Sequence, residues 1–333
     1  MTIRRALVGS LLVSILGCSD DAADSGDGDS DCTPFEASSE TVTAANSFGT
    51  LEGMLERPAG CGPIPVVLMI SGSGSQDRDG DSPGSPSPIQ LTRVLGEAIR
   101  TQTDVATLRY DDPGVGGSAT AIPVNLEEFL FDHEIESASA FIEKLRADSR
   151  FSSVVVAGHS MGSLVGIVAD QTTPIDGFIS LAGAGRLVSD LLREQLSDDL
   201  TPAQYQQLDE ALNKLEAGEL AGPVDPPLDQ IIPPDYQPYF ISWLQYHPAD
   251  EIAAMTVPAS IVQGRTDIQV TVGDAEALAA AKPDATLVLV DDMAHTLKQA
   301  TSSTADQNAA YTDPSVPLAA GLMPPIEAFL EPF

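Results

Sequence analysis

A serine flanked by glycines, Gly158-His159-Ser160-Met161-Gly162, follows the β-branched run Val154-Val155-Val156 and precedes the helix-like run Ser163 to Val168. Strand, sharp turn and helix start in that order put a serine hydroxyl on a strained backbone at the top of a sheet. The partial positive charge of the helix N-terminus then points at it. The glycines make room for neighbouring backbone. Such a serine becomes a nucleophile once a base takes its proton. In a chain with 27 glycines the same five residues could form an ordinary turn; the placement between strand and helix is what favours chemistry.

Four histidines limit the choice of base. His159 lies inside the turn and is expected to point back into the sheet. His133 sits on a long helix ahead of the serine's strand, and His247 ends a helical segment, where packing is the default role. That leaves His295, in Asp291-Asp292-Met293-Ala294-His295-Thr296, just past the last expected strand. A loop at a strand's carboxyl end is where a base must lie to reach Ser160. The base in turn needs a carboxylate to fix its tautomer. Among 49 acids, Asp267 is singled out by position, in the loop after the penultimate strand, which gives the chain order Ser160, Asp267, His295. Asp291 or Asp292 is the alternative. Charge on a tetrahedral intermediate calls for preorganised donors. The N–H of Met161 is one, and the run Ser71-Gly72-Ser73-Gly74 supplies another, with Ser73 preferred. That run lacks the Gly-Lys-Ser/Thr of a phosphate cradle. No metal or organic cofactor is implied.

These residues need a scaffold that presents several strand ends on one edge. Thr41 to Ala45 and Thr50 to Glu56 read as edge strands joined by Asn46-Ser47-Phe48-Gly49. Pro65 to Ile70 is a continuous apolar run, as expected of a strand buried on both faces. Residues 76 to 88 read as loop. Strand and helix signals then alternate: helix 89–101, strand 105–110, loop 111–118, a long helix with apolar residues from Leu126 to Leu145, the strand into the serine turn, the helix from Ser160, and strand 177–181. After a break come strand 259–263, helix 274–281, strand 286–290 and a short helix at 325–330. The pattern predicts an α/β fold with a mostly parallel central sheet and helices on both faces. The break, about 185–250, holds two amphipathic helical stretches and a proline-rich run with Tyr236, Tyr239, Phe240, Trp243 and Tyr246. It reads as a helical cap over the sheet's carboxyl edge. Its aromatics suit either an apolar pocket wall or packing of the cap onto the body.

The N-terminus reads as an export signal over residues 1–17: Arg4 and Arg5, an apolar run from Ala6 to Leu16, then Gly17 and Cys18. Ile15-Leu16-Gly17-Cys18 resembles a bacterial lipobox, although Leu16 is larger than usual there, and this resemblance implies lipid attachment at Cys18. An ordinary cleaved signal is the alternative. Residues 18–39 then form a lipidated cysteine and a flexible acidic tether, and residues 40–333 a single domain. The expected location is a bacterial cell envelope, periplasmic or at the cell surface, with the membrane as a partner through the anchor. Cys32 and Cys61 remain, and in an exported protein such a pair is most simply a disulfide; two free thiols are the alternative. A net charge of −33 repels nucleic acid, which is therefore not an expected partner.

Four segments recur together in a known order: Ser71-Gly72-Ser73-Gly74-Ser75-Gln76-Asp77-Arg78-Asp79-Gly80, Asp111-Asp112-Pro113-Gly114-Val115-Gly116-Gly117-Ser118, Gly158 to Gly162, and Gly264-Arg265-Thr266-Asp267-Ile268-Gln269-Val270, closed by Ala294-His295-Thr296-Leu297-Lys298. From about residue 40 to 331 the chain resembles the α/β-hydrolase superfamily, and within it the serine esterase and serine aminopeptidase-like group. The resemblance implies an α/β-hydrolase fold and a triad of Ser160, Asp267 and His295. It also implies hydrolysis of a small-molecule carboxylic ester through an acyl-enzyme. Amide cleavage on the same triad and a non-catalytic binding lipoprotein are the alternatives. The chain departs from many relatives in having Ser71-Gly72 where they have His-Gly, and Pro113 where they usually have arginine.

Overall fold

The computed structural model describes residues 32–85 and 87–333. The expected signal peptide, Cys18 and the tether up to residue 31 lie outside the described residues. From Pro34 the elements run β1 (Pro34–Phe35), the hairpin β2 (Ser38–Ala45) and β3 (Thr50–Arg57), and β4 (Gly60–Cys61), which pairs antiparallel with β1. Regular structure therefore begins ahead of the boundary expected at residue 40. Strands of two residues carry no alternation, which is why β1 and β4 left no signal. Cys32 and Cys61 are both disulfide-bonded.

The body continues with β5 (Ile64–Ile70), α1 (Leu91–Gln102), β6 (Ala106–Tyr110), α2 (Phe131–Arg146), β7 (Phe151–His159), α3 (Met161–Asp170) and β8 (Gly177–Leu181). The helices α4 (Val188–Gln195), α5 (Pro202–Glu216), α6 (Gln237–Trp243) and α7 (Pro248–Ala254) follow. Then come β9 (Ala259–Gly264), α8 (Val272–Ala281), β10 (Thr286–Val290), α9 (Thr304–Thr312) and α10 (Met323–Leu330). An eight-stranded sheet is ordered β10-β9-β8-β7-β5-β6-β3-β2. From β10 to β6 all neighbours are parallel, and β3 and β2 add an antiparallel edge. Both faces of its centre are buried because alternate residues feed separate cores. Val66, Leu68, Val154 and Val156 join one core with α2 and α3, while Val67, Met69, Val155 and Ala157 join the other with α1 and α10.

The order fixes where a ligand can go. The chain runs from β5 to β6 on one side and then returns to place β7 on the other side of β5. Helices following these strands diverge, and the crevice left between the carboxyl ends of β5 and β7 is the topological switch point. Ser71 to Gly74 leave the end of β5, and Ser160 leaves the end of β7.

The expected long helix begins later than its apolar pattern suggested. Leu126–Glu128 form a separate 3-10 turn in which Asn125 accepts the N–H of Glu127, and α2 starts only at Phe131. Its first turn is fastened by His133, whose Nδ1 accepts the Leu130 N–H at 2.9 Å, and by Ser242 of the cap, whose Oγ accepts the Phe131 N–H at 2.8 Å. The helices α4 to α6 and the segment between them hold their own apolar centre, with Val188, Leu208, Leu212, Leu215, Leu228, Ile232 and Leu244 buried together. Sequence periodicity missed α6, α7 and α9. The first two are single turns or two opened by proline, which suits the first helical turn but disguises a helix in sequence.

A buried ion network ties the loop after β5 to the loop after β6. The Arg78 guanidinium holds Asp111 through Nε to Oδ1 (3.0 Å) and Nη2 to Oδ2 (2.6 Å), and also meets Glu52. Asp111 accepts the N–H groups of Arg78 (2.7 Å) and Gly117 (2.7 Å) as well. Burial alone would raise the Asp111 pKa, but the bonds from Arg78 and Gly117 outweigh it and hold it below the ordinary value. A folded-state pKa below the unfolded one gives stability that is present above the unfolded pKa and lost as pH falls through the folded one. Arg78→Met leaves an uncompensated buried carboxylate, so we expect a loss of about 3–5 kcal/mol in urea unfolding at neutral pH. That loss shrinks in acid, where Asp111 is protonated in both states.

Candidate active site

Ser160 sits between β7 and α3 with φ 53° and ψ −119°, the strained turn expected. Such backbone costs on the order of 1–3 kcal/mol and persists only when its surroundings enforce it. The two glycines are those surroundings. A Cβ at Gly158 would lie 2.2 Å from the Gly162 carbonyl oxygen, and one at Gly162 would lie 2.3 Å from that of Ser71. Only glycines let α3 start this close to the loop after β5.

The structure brings Ser160, His295 and Asp267 into one hydrogen-bonded run. His295 Nε2 is 3.1 Å from Ser160 Oγ, and His295 Nδ1 is 2.8 Å from Asp267 Oδ2. The carboxylate can only accept, so Nδ1 carries the proton and Nε2 presents a lone pair to the serine hydroxyl. Asp267 is itself fixed: Oδ1 accepts the N–H groups of Gln269 (2.8 Å) and Val270 (3.0 Å), and Oδ2 also accepts Gln263 Nε2 (3.0 Å). Its side chain is fully buried. The alternatives lie elsewhere, for Asp291 is exposed and pairs with Arg265 at 3.0 Å, and Asp292 is exposed in a left-handed backbone conformation. Of the other histidines, His133 fastens α2 and His247 occupies the N-cap position of α7.

One expectation is corrected. His159 does not turn away from the site; its Nε2–H donates to the backbone carbonyl of His295 at 2.8 Å, and the two rings lie 4.9 Å apart. Burial first, and the nearby His295 ring second, push its pKa down to about 3, so it stays neutral. His159 thereby ties the loop bearing His295 to the serine turn. Alternation along β7 failed as a guide because His159 is the strand's last residue, and the sharp turn at Ser160 breaks the alternation there.

The N–H groups of Met161 and Ser73 donate to no acceptor among the described residues. Both residues line a cavity of about 230 Å³ together with Ser160. Unpaired donors at a helix start and in a loop lining the same cavity as the hydroxyl can stabilise an oxyanion. Four of the five cap aromatics, Tyr236, Tyr239, Phe240 and Trp243, wall a neighbouring cavity, and Trp243 also stacks on Phe131 at 5.3 Å. Tyr246 instead packs on Phe131 and donates its Oη–H to Asp132 at 2.8 Å. The pocket-wall and packing readings of the cap are thus both realised, by different residues.

Residues 67–306 match the model of the alpha/beta hydrolase family, and the chain belongs to that family. It is 24% identical over 226 residues to esterase EstD of Thermotoga maritima, which covers 68% of this chain and 52% of that protein. The chain thus spans about half the length of this curated relative. Similar solved structures include Est1E from Butyrivibrio proteoclasticus with ferulic acid bound (18% identity, TM-score 0.52, 77% of this chain and 91% of that one). The Pyrococcus furiosus esterase Pf2001 is similar too (17%, 0.52, 78% and 83%), as is a puromycin-hydrolyzing peptidase from Mycobacterium tuberculosis (14%, 0.51, 78% and 36%). At these identities the structural likeness is one of fold.

Proposed function

We propose that the chain is a serine hydrolase that cleaves carboxylic esters of small molecules through an acyl-enzyme. The observation that carries this reading is the run from Ser160 Oγ through His295 to Asp267 at hydrogen-bonding distances. Ser160 Oγ attacks the ester carbonyl while His295 Nε2 takes its proton, and Asp267 stabilises the imidazolium. The N–H groups of Met161 and Ser73 receive the oxyanion. Collapse of the tetrahedral intermediate expels the alcohol, which takes the proton from His295. A water then gives its proton to His295 and attacks the acyl carbon, releasing the carboxylic acid and restoring Ser160.

The esterase name of the curated relative supports ester rather than amide substrates. Amide cleavage by the same groups is the second reading, and the carboxyl groups of Asp112 and Glu134 in the neighbouring cavity are what favour it, since they could receive a free amine. Nitrophenyl esters and aminoacyl nitroanilides tested side by side decide between the two. We expect ester turnover to exceed anilide turnover by orders of magnitude; comparable kcat/KM values would replace the ester reading with the amide one.

The same proposal places the enzyme outside the cytoplasm of a bacterium, anchored by lipid at Cys18. The charged, apolar and cysteine-bearing order of residues 4–18 supports this, as does the disulfide-bonded state of Cys32 and Cys61, which suits an oxidising compartment.

A further inference from the structure

Met161 and Ser73 also wall a second cavity, of about 320 Å³, between the cap and the body. Its sides are aromatic: Tyr236, Tyr239, Phe240 and Trp243 from the cap face Phe129 from the body, and Tyr239 stacks on Phe129 at 5.9 Å. Two carboxyl groups, Asp112 and Glu134, line this apolar space, and no lysine, arginine or histidine does. Asp112 is 7% exposed and held by the Ser71 hydroxyl (2.6 Å) and the Gln76 N–H (2.8 Å). Glu134 differs. Among the described residues its carboxyl group has no hydrogen-bond or ion-pair partner, and the residue is half-buried at the cavity wall.

The titratable groups that act most strongly on this pair, or that it acts on, are acids and phenols. Asp77 and Asp111 face Asp112, Asp112 faces Glu134, and Tyr110, Tyr236 and Tyr239 lie within reach of one or both. Arg78, the cation beside Asp111, is committed to Asp111 and Glu52. Burial, opposed at Asp112 by the bonds from Ser71 and Gln76 and reinforced by neighbouring carboxylates, pushes Asp112 up to about 7. Burial and then Asp112 push Glu134 up to about 8. An uncompensated carboxylate among aromatic walls lacks one thing, a counter-charge that also tolerates apolar surroundings. An organic ammonium is such a group, because ring faces and carboxylates both attract it.

We propose that this cavity binds a positively charged ammonium group of the substrate, so that the preferred esters carry such a group a few bonds from the scissile carbonyl. The inference rests on the serine hydrolase reading. The shared walls Met161 and Ser73 set the short separation, since the same residues flank Ser160 and the ammonium cavity. The pH dependence follows from the carboxyl groups. Their raised pKa values keep them partly protonated near neutrality, so affinity for a cation grows as pH rises through about 7 to 8.

The test compares butyrylthiocholine with its neutral isostere, 3,3-dimethylbutyl thiobutyrate, on the purified protein. A second arm compares a 6-aminohexanoate ester, whose primary ammonium stays charged from pH 6 to pH 8, with the matching hexanoate ester. The expected result is a cation-over-neutral ratio in kcat/KM of at least about 10 in one arm or both at pH 8, through a lower KM. The ratio should fall toward one at pH 6 and in Glu134→Gln. Because both substrates are measured on one preparation, partial misfolding of the variant cancels. Tetramethylammonium should compete against the neutral ester in the wild-type protein more strongly at pH 8 than at pH 6. Ser160-dependent turnover of the neutral ester with a ratio near one at every pH, and no inhibition by tetramethylammonium, overturns the ammonium site and leaves the hydrolase reading standing. Absence of Ser160-dependent turnover of any of the esters overturns both.

Discussion

Ser160→Ala is expected to lower kcat for short-chain nitrophenyl esters by about 10⁶-fold, the scale set by removing a serine nucleophile that works as a unit with its base. KM should change little, because the hydroxyl contributes to bond making more than to ground-state binding. The size of the effect follows from isolation as well as from geometry. Among the described residues no other hydroxyl stands against His295 Nε2, so no neighbour takes over. Alanine at φ 53° inherits the strain that serine bears, so stability should shift by no more than about 1 kcal/mol. Measured together, kcat and thermal midpoint separate loss of chemistry from loss of fold.

Asp267→Asn is the second large effect, about 10⁴-fold in kcat, and the local bonds say why the substitution cannot be neutral. Asparagine must place its carbonyl oxygen where Oδ1 now accepts the N–H groups of Gln269 and Val270. Its NH2 then occupies the Oδ2 position and points donors at Gln263 Nε2 and His295 Nδ1. His295 responds by carrying its proton on Nε2, where it faces Ser160 as a donor and can no longer act as a base. Raising the pH does not restore activity, because the fault is a tautomer and not a protonation state. The collision of donors at Gln263 adds a stability cost of about 1–3 kcal/mol. Near wild-type kcat in Asp267→Asn, with loss in Asp291→Asn, would move the carboxylate role to the strand end beyond β10.

Short-range pattern and chain order were the legible part of the sequence. Pro65 to Ile70 reads as a strand buried on both faces because it is apolar throughout, and Val154 to Val156 as the β-branched strand before the serine turn; alternate residues of both are buried in separate cores. Elimination among four histidines led to His295, and chain order led to Asp267, and the two side chains meet at 2.8 Å. Illegible were features set by contacts distant in sequence. His159 reaches the carbonyl of a residue 136 positions away, and no local rule anticipates that. The start of α2 depends on a hydroxyl from Ser242 in the cap. Nothing in the sequence around Glu134 marks it out from the other acids of α2; it is the cap's aromatics, remote in the chain, that join it in one cavity wall.

The central claim, that Ser160 is the nucleophile activated by His295, is tested most directly by a fluorophosphonate probe followed by peptide mapping. The account predicts one stoichiometric phosphonyl adduct on Ser160, slowed by orders of magnitude in His295→Ala and absent in Ser160→Ala. Full labelling of the Ser160→Ala protein, or an unlabelled wild-type protein that still hydrolyses esters, would contradict it.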